Sequence, residues 1–511
     1  EKDYFICGGA YPQAFDWEND RQPEIKRQQM VMYKLHVRGF SMEDTSCPRK
    51  ERGTFRAITD KIPYLKKLGI TTIELMPAYE FEEQVIPKKT VLPDYLKWES
   101  HGEDLIKPES VQPVEKINYW GYVPGNYFAP KASYSSSADA ASEFRELVHT
   151  LHENGMECVM EFYFAPGMNQ NVILDALRFW VREYHVDGFV LNPYNVPWEQ
   201  LIEDPFLKDI KLMQKDDGFQ NVMRRFLKGD ENMVNDVIWA LKNRSSENGK
   251  CNYITTQTGF TLWDLVSYDC KHNEENGEKN LDGPDYNYSW NCGAEGPSRK
   301  RAVVNLRKNQ VKNALELLLT AQGTPCLLAG DEFCNSQRGN NNAYCQDNEI
   351  GWIDWKKGRS YSQFTGFVKD LIRFRKDHPI LHMPQELRPT DYKSLGWPEI
   401  SYHSERAWFA DTESSSRQIG ILYCGGYAKE MTGKEDVFIY VIYNMHWNEH
   451  KFALPDIPEG MRWYLAIDSS KKNSVCPKGE ELLLEEKKSI YVKPRTILVL
   501  LGDAREPGAK A

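Results

Sequence analysis

A chain of 511 residues, 41% hydrophobic and 27% charged, exceeds what one core usually fills, so it predicts a large globular domain with one or two smaller ones. A formal net charge of −10 without any Lys/Arg-rich run argues against nucleic acid or another polyanion and suits a neutral ligand. No apolar run reaches the ~18 residues of a membrane span, no signal peptide is visible, and the 11 cysteines, without CxxC or metal spacing, read as reduced thiols of a cytoplasmic-type compartment.

Residues 1–30 form a polar, irregular lead-in. VMYKLHVRGF (31–40) then reads as a buried strand. ITDKIPYLKKLG (58–69) predicts a helix with Ile62, Leu65 and Leu68 on one face and a Gly stop, and ITTIELMPAYEF (70–81) a second strand. Strand–helix–strand order at this spacing is the signature of a parallel sheet. It continues with helix 143–155, strand 156–164, helix 171–185 and strand 186–191. Further strands are predicted at 210–213, 252–256 and 325–330, with a long helix over 301–323. The repetition fits an α/β fold, a (β/α)8 TIM barrel over 31–394, better than an open doubly wound sheet. No GxGxxG or GxxxxGK[ST] opens a helix, so no nucleotide site or other cofactor is expected. After helix 371–378 and a stretch carrying Pro379, Pro384 and Pro389, residues 395–511 turn to short alternating strands. These predict a C-terminal antiparallel β-sandwich.

Several blocks together resemble glycoside hydrolase family 13, in its isoamylase and glycogen-debranching branch. They are MVMYKLHVRGF, IPYLKKLGITTIELMPAYEF, NYWGYVPGNYFAP, GFTLWDLVSYDCKHNEENGE, DYNYSWNCGAEGP, GTPCLLAGDEF and GNNNAYCQDNEIGWIDW, in order along the chain. The resemblance implies hydrolysis of α-1,6 branch linkages by a retaining double displacement. That chemistry needs a carboxylate nucleophile and a carboxylic acid roughly 5–5.5 Å apart. A third carboxylate, an Arg and two His hold the sugar.

Each implied position is altered here. The nucleophile strand should end Gly-Phe-Arg-(apolar)-Asp; this chain has Gly188-Phe189-Val190-Leu191-Asn192. An amide oxygen carries no full charge, and Val190 removes the guanidinium that would orient a carboxylate. DPFLKDIKLMQK (204–215) puts Lys215 where the acid belongs, and an ordinary ammonium holds its proton too tightly to serve. Asp216 and Asp217 are the local candidates for a rescued acid. The block VMRRFLKGD (222–230) arrives roughly 20–25 residues early, so a loop after the acid reads as deleted. The His-Asp pair before GFTL is replaced by Gln257-Thr258, and the strand expected as Asp…Asn-His reads Glu161…Ala165-Pro166. Glu161 alone keeps a carboxylate and is the other candidate for rescue.

Losing one member of a cooperating set costs several orders of magnitude in rate, so the residues predict a catalytically inactive member. Tyr122 matches the tyrosine that stacks on sugar in the reacting subsite. Trp120, Asn342 and Asp347 sit in retained blocks (NYWGY and GNNNAYCQDN) and are the other candidates for sugar contact; the Asn-rich run equally suits a loop shaped by Asx turns. The implied ligand is an α-glucan (glycogen, starch or a maltooligosaccharide), with an active debranching-enzyme subunit as a possible partner. The implied location is the cytoplasm, or a plastid in a plant or alga. An active α-1,6-glucosidase with a rearranged site, and an interaction platform that binds no sugar, are the alternatives.

Overall fold

The computed structural model describes residues 15–17, 19–85, 116–242, 249–429, 433, 435–486 and 488–504. Seven parallel strands close into a barrel: β1 (Met32–Leu35), β2 (Thr72–Leu75), β7 (Glu157–Glu161), β8 (Gly188–Val190), β9 (Lys211–Lys215), β10 (Lys250–Asn252) and β11 (Thr324–Leu328). Short antiparallel pairs occupy the excursion between β2 and β7: β3 (Tyr79–Glu80) with β6 (Asn126–Pro130), and β4 (Gln84–Val85) with β5 (Lys116–Ile117). The expected (β/α)8-type barrel is therefore present, with seven strands among the described residues.

Helices alternate with these strands: α1 (Val37–Ser41), α2 (Phe55–Leu68), α3 (Ala140–Glu153), α4 (Gln170–Tyr184), α5 (Trp198–Glu203), α6 (Asp217–Lys228), α7 (Val234–Lys242), α8 (Leu262–Leu265), α9 (Arg301–Thr320), α10 (Trp355–Ser360) and α11 (Ser362–Asp377). Local chemistry sets their ends. The Asp139, Asn169 and Asp216 carboxylate or amide oxygens accept from backbone N–H groups in the first turns of α3, α4 and α6, as N-caps do. Gly69, at φ 103°, closes α2 in the left-handed region. Ile58, Ile62 and Leu65 then form its buried stripe.

Among the described residues, two α-helices follow one another in three intervals between barrel strands: α1 and α2, α6 and α7, and α8 and α9. Between β9 and β10 the chain makes α6 and α7 with no strand between them, and β9 pairs directly with β10, Lys215 opposite Cys251. The deletion read after β9 falls in an interval that, among the described residues, contributes helices and no strand to the wall. Following the paired residues round the ring, the register steps up two residues along β7, four along β9 and two along β11, eight in all. That equals the shear of an eight-stranded TIM barrel, so the ring closes with steeply staggered strands.

Three strand expectations need correction; the one predicted over 70–81 is β2 (Thr72–Leu75), and Tyr79–Glu80 beyond it pair with β6 instead of joining the barrel. The strand predicted over 31–40 stops at Leu35, because His36 turns out and its Nδ1 accepts from Gly39 N, capping α1. Val37 and Phe40, three apart, both bury on that helix. The strand predicted over 252–256 is Lys250–Asn252. Beyond it Tyr253 and Thr255 leave the ladder and donate hydroxyl bonds to Asp217 and Asp331.

The last barrel helix ends at Asp377, and the next strand begins at Ile400. From there β12 (Ile400–His403), β13 (Gln418–Tyr423), β14 (Phe438–Asn444), β15 (His450–Ala453), β16 (Arg462–Asp468), β17 (Leu482–Leu483), β18 (Ser489–Val492) and β19 (Thr496–Asp503) follow. Six of them form one sheet in the order β12-β13-β14-β19-β16-β17, while β15 pairs with β18. This sheet docks on α9, where the Thr320 and Tyr443 hydroxyls lie 2.8 Å apart and Asn313 Nδ2 donates to Arg495 O at 2.8 Å. Among the described residues no helix is long and apolar enough to cross a membrane.

Candidate functional site

Alternate residues of a strand point into the barrel. Met32, Val159, Val190, Met213, Cys251 and Cys326 form one apolar layer there, apart from the main core. The next layer toward the strand C-termini is charged: Lys34 from β1, Glu74 from β2, Glu161 from β7 and Lys215 from β9. Lys34 Nζ lies 3.1 Å from Glu74 and also donates to Glu161 Oε2; Lys215 Nζ lies 2.6 Å from Glu161 Oε1. The Tyr122 hydroxyl donates to the same Glu161 Oε2. Lys34, Glu74 and Glu161 are buried, so each charge needs its partner.

The electrostatics follow from this closure. Burial by itself would raise the Glu161 carboxyl, but Lys215 and then Lys34 outweigh it and hold it well below the usual carboxylate range. Burial pulls the Lys34 ammonium down despite Glu161 and Glu74, whereas for Lys215 those two carboxylates overcome burial and raise it. Burial and the charge of Glu161 push the Tyr122 phenol well up. Glu161 is an ionised carboxylate at neutral pH, with no proton to donate to a leaving group.

Above this layer lies a cavity of about 510 Å³, lined among others by Tyr122, Glu161, Asn192, Tyr194, Lys215 and Asp216. Asn192 is exposed at its rim, and its Oδ1 accepts from Tyr194 N at 3.1 Å, an Asx turn that puts Tyr194, 94% exposed, at the opening. Thr258 is exposed, outside this cavity's wall; its neighbour Gln257 accepts from Lys215 Nζ at 3.3 Å. Asp216 serves as the cap of α6, and Asp217 accepts from Tyr253.

The other candidates separate from the cavity. Trp120 is buried with Met76, Tyr119 and Ile350, in edge contact with Tyr122 at 6.3 Å. Asn342 Nδ2 donates to Asp282 at 2.9 Å, and Asp347 lies 2.7 Å from the Arg38 guanidinium while accepting from Trp352 Nε1. The Asn-rich run is a network of amides: Asn341 bonds to Asn273 and Asn287, and Asn340 and Gln346 both donate to Asn276. Sequence reasoning missed Lys34 and Glu74. The signal was available: a lysine inside the otherwise apolar MYKL must have a buried anion opposite.

No family model matches the chain. Relatives are found by sequence. The chain is 30% identical to isoamylase 1, chloroplastic, of Arabidopsis thaliana, over 90% of its own length and 68% of that protein's. It is 26% identical to a glycogen operon protein GlgX homolog of Mycobacterium tuberculosis, over 95% and 78%. Among solved structures it resembles the type I pullulanase of Bacillus subtilis complexed with maltose, at TM-score 0.68 and 18% identity, covering 96% of this chain and 72% of that one. The pullulanase of Bacillus acidopullulyticus gives TM-score 0.65 at 19% identity; the chain spans 62% of its length. The chain belongs to the isoamylase-like, glycogen- and starch-debranching branch of glycoside hydrolase family 13.

Proposed function

We propose that this protein is a non-catalytic member of its family that holds α-glucan at the barrel mouth, working beside an active debranching enzyme in the cytoplasm or a plastid. The observation that carries this reading is the Lys215–Glu161 ion pair. A cation stands where the resemblance calls for a proton-donating carboxylic acid, and it neutralises the carboxylate left on β7. An ammonium there also repels a developing oxocarbenium ion. Asn192, on the nucleophile strand, offers an amide already turned into a backbone turn.

A rearranged hydrolase would need Asp216 or Asp217 as its acid. Both are engaged, one as the N-cap of α6 and one by Tyr253, and the other carboxylate on the cavity wall, Glu161, is held by Lys215 and Lys34. Sugar binding does not need those groups. The Tyr122 ring, held by its hydroxyl, offers an aromatic face, and Asn192, Asn195 and Gln214 offer neutral polar groups.

The test uses the whole chain incubated with glycogen and amylopectin. No reducing ends should appear, while glucan-containing native gels should retard the protein and Tyr122→Ala should relieve that retardation. Measurable turnover abolished by Asp216→Asn or Glu161→Gln would sink the reading in favour of an active hydrolase. Unretarded wild type would favour a platform that binds no sugar.

A further inference from the structure

A groove lies on the outer wall in the interval between β9 and β10. It lies between α6 and α7 beside β10, with a volume of about 310 Å³. Phe219 and Val222, three apart on α6, form one side, and Asp236 and Trp239, three apart on α7, form the other. Trp239 is 62% exposed, a large indole that folding leaves in water. Asp216 lines both this groove and the mouth cavity, so the two spaces adjoin at that residue.

The lining selects a ligand class. An apolar partner pressed on Trp239 would strip water from Asp236 and Asp216 without replacing their hydrogen bonds. A polyanion would meet two carboxylates in a chain of net charge −10. An uncharged pyranose satisfies both features, because its C–H face stacks on an indole and its hydroxyls donate to carboxylates. We propose that this groove is a second α-glucan subsite, in which a glucosyl unit stacks on Trp239 and donates hydroxyl hydrogen bonds to Asp236 and Asp216. It rests on the reading that the mouth binds α-glucan, and it extends that site through the shared lining residue Asp216.

Calorimetric titration of the full chain with maltoheptaose tests this with Trp239→Ala, Tyr122→Ala and the double variant. Trp239 is exposed, so its replacement leaves the fold intact, and Asp236→Asn gives a second probe. Loss of the stacked ring should weaken binding about tenfold, Asp236→Asn should weaken it in the same direction, and the double variant should bind more weakly than either single. Unchanged affinity in Trp239→Ala overturns the groove while leaving the mouth reading intact. Unchanged affinity in Tyr122→Ala, with Trp239→Ala weakened, removes the mouth and leaves the groove. No binding by the wild type overturns both. Self-association lost in Trp239→Ala at unchanged sugar affinity makes the groove a contact between copies, which also overturns the proposal.

Discussion

Lys215 Nζ lies 2.6 Å from Glu161 Oε1 across the top of the barrel, joining the end of β9 to the end of β7. Lys34 holds the other oxygen of the same carboxylate, and Glu74 holds Lys34 at 3.1 Å. Two cations and two anions from four strands therefore close one buried ionic chain. Removing any member leaves the set with one unbalanced charge.

Glu161→Gln leaves Lys215 and Lys34 facing each other, so we expect about 3–5 kcal/mol of destabilisation in urea unfolding. The pH dependence has a definite sign. The folded-state pKa of Glu161 is depressed, so its contribution is present above the unfolded value of about 4.3 and is lost as pH falls through the lower folded value. Unfolding followed from pH 7 to 3 should show an acid loss that the Gln variant lacks.

Lys215→Glu restores the residue type that the resemblance calls for, yet it places a third carboxylate beside Glu74 and Glu161 with Lys34 alone to balance them. We expect a loss of about 3 kcal/mol or more and no release of reducing ends from amylopectin, since Asn192 still supplies no nucleophile. Turnover by this single variant would refute the account of the missing chemistry.

Tyr122→Phe separates the ring from its hydroxyl. The ring stays on the cavity wall, while Glu161 loses one buried donor. Stability should fall by about 1–2 kcal/mol, with retardation in glucan gels unchanged. Retardation lost in Phe as fully as in Ala would mean that the ring does not stack.

A second buried network fastens the lead-in segment. Asp20 pairs with His152 at 2.8 Å and also with His185 and His149, and His152 reaches Asp187 at 3.0 Å. Burial works against both charges. The hydrogen bonds from His185 and His152 nevertheless lower Asp20, and Asp187 followed by Asp20 raises His152. The His152 contribution is therefore full below about pH 6.5 and lost as pH rises through its higher folded value, while the Asp20 contribution is lost in acid. Asp20→Asn should cost about 1–3 kcal/mol near pH 6 and flatten the alkaline decline of the melting temperature.

Asn341 should prove structural. It is fully buried, and its amide donates to Pro284 O and Asn287 while accepting from Asn273. Asn341→Ala takes one buried hydrogen bond from each of those partners, at about 2–3 kcal/mol, and glucan affinity measured on the folded fraction should stay within twofold.

The sequence by itself determined the frame. Period-3.6 stripes such as Ile62, Leu65 and Leu68, strands such as MECVMEFYF, and stops such as Gly69 are local chemistry, legible without neighbours. It also determined which residue types stand at the implied catalytic positions, because Asn192, Lys215 and Thr258 are read directly. Tertiary structure alone decided what those residues do. Lys215 and Glu161 are 54 positions apart in the chain, and only the parallel register of β7, β8 and β9 brings them together. The burial of Trp120, the amide network around Asn341 and the direct pairing of β9 with β10 likewise depend on contacts between distant segments. Periodicity within one segment reports which face is apolar; it carries no information about which charge another strand will set opposite.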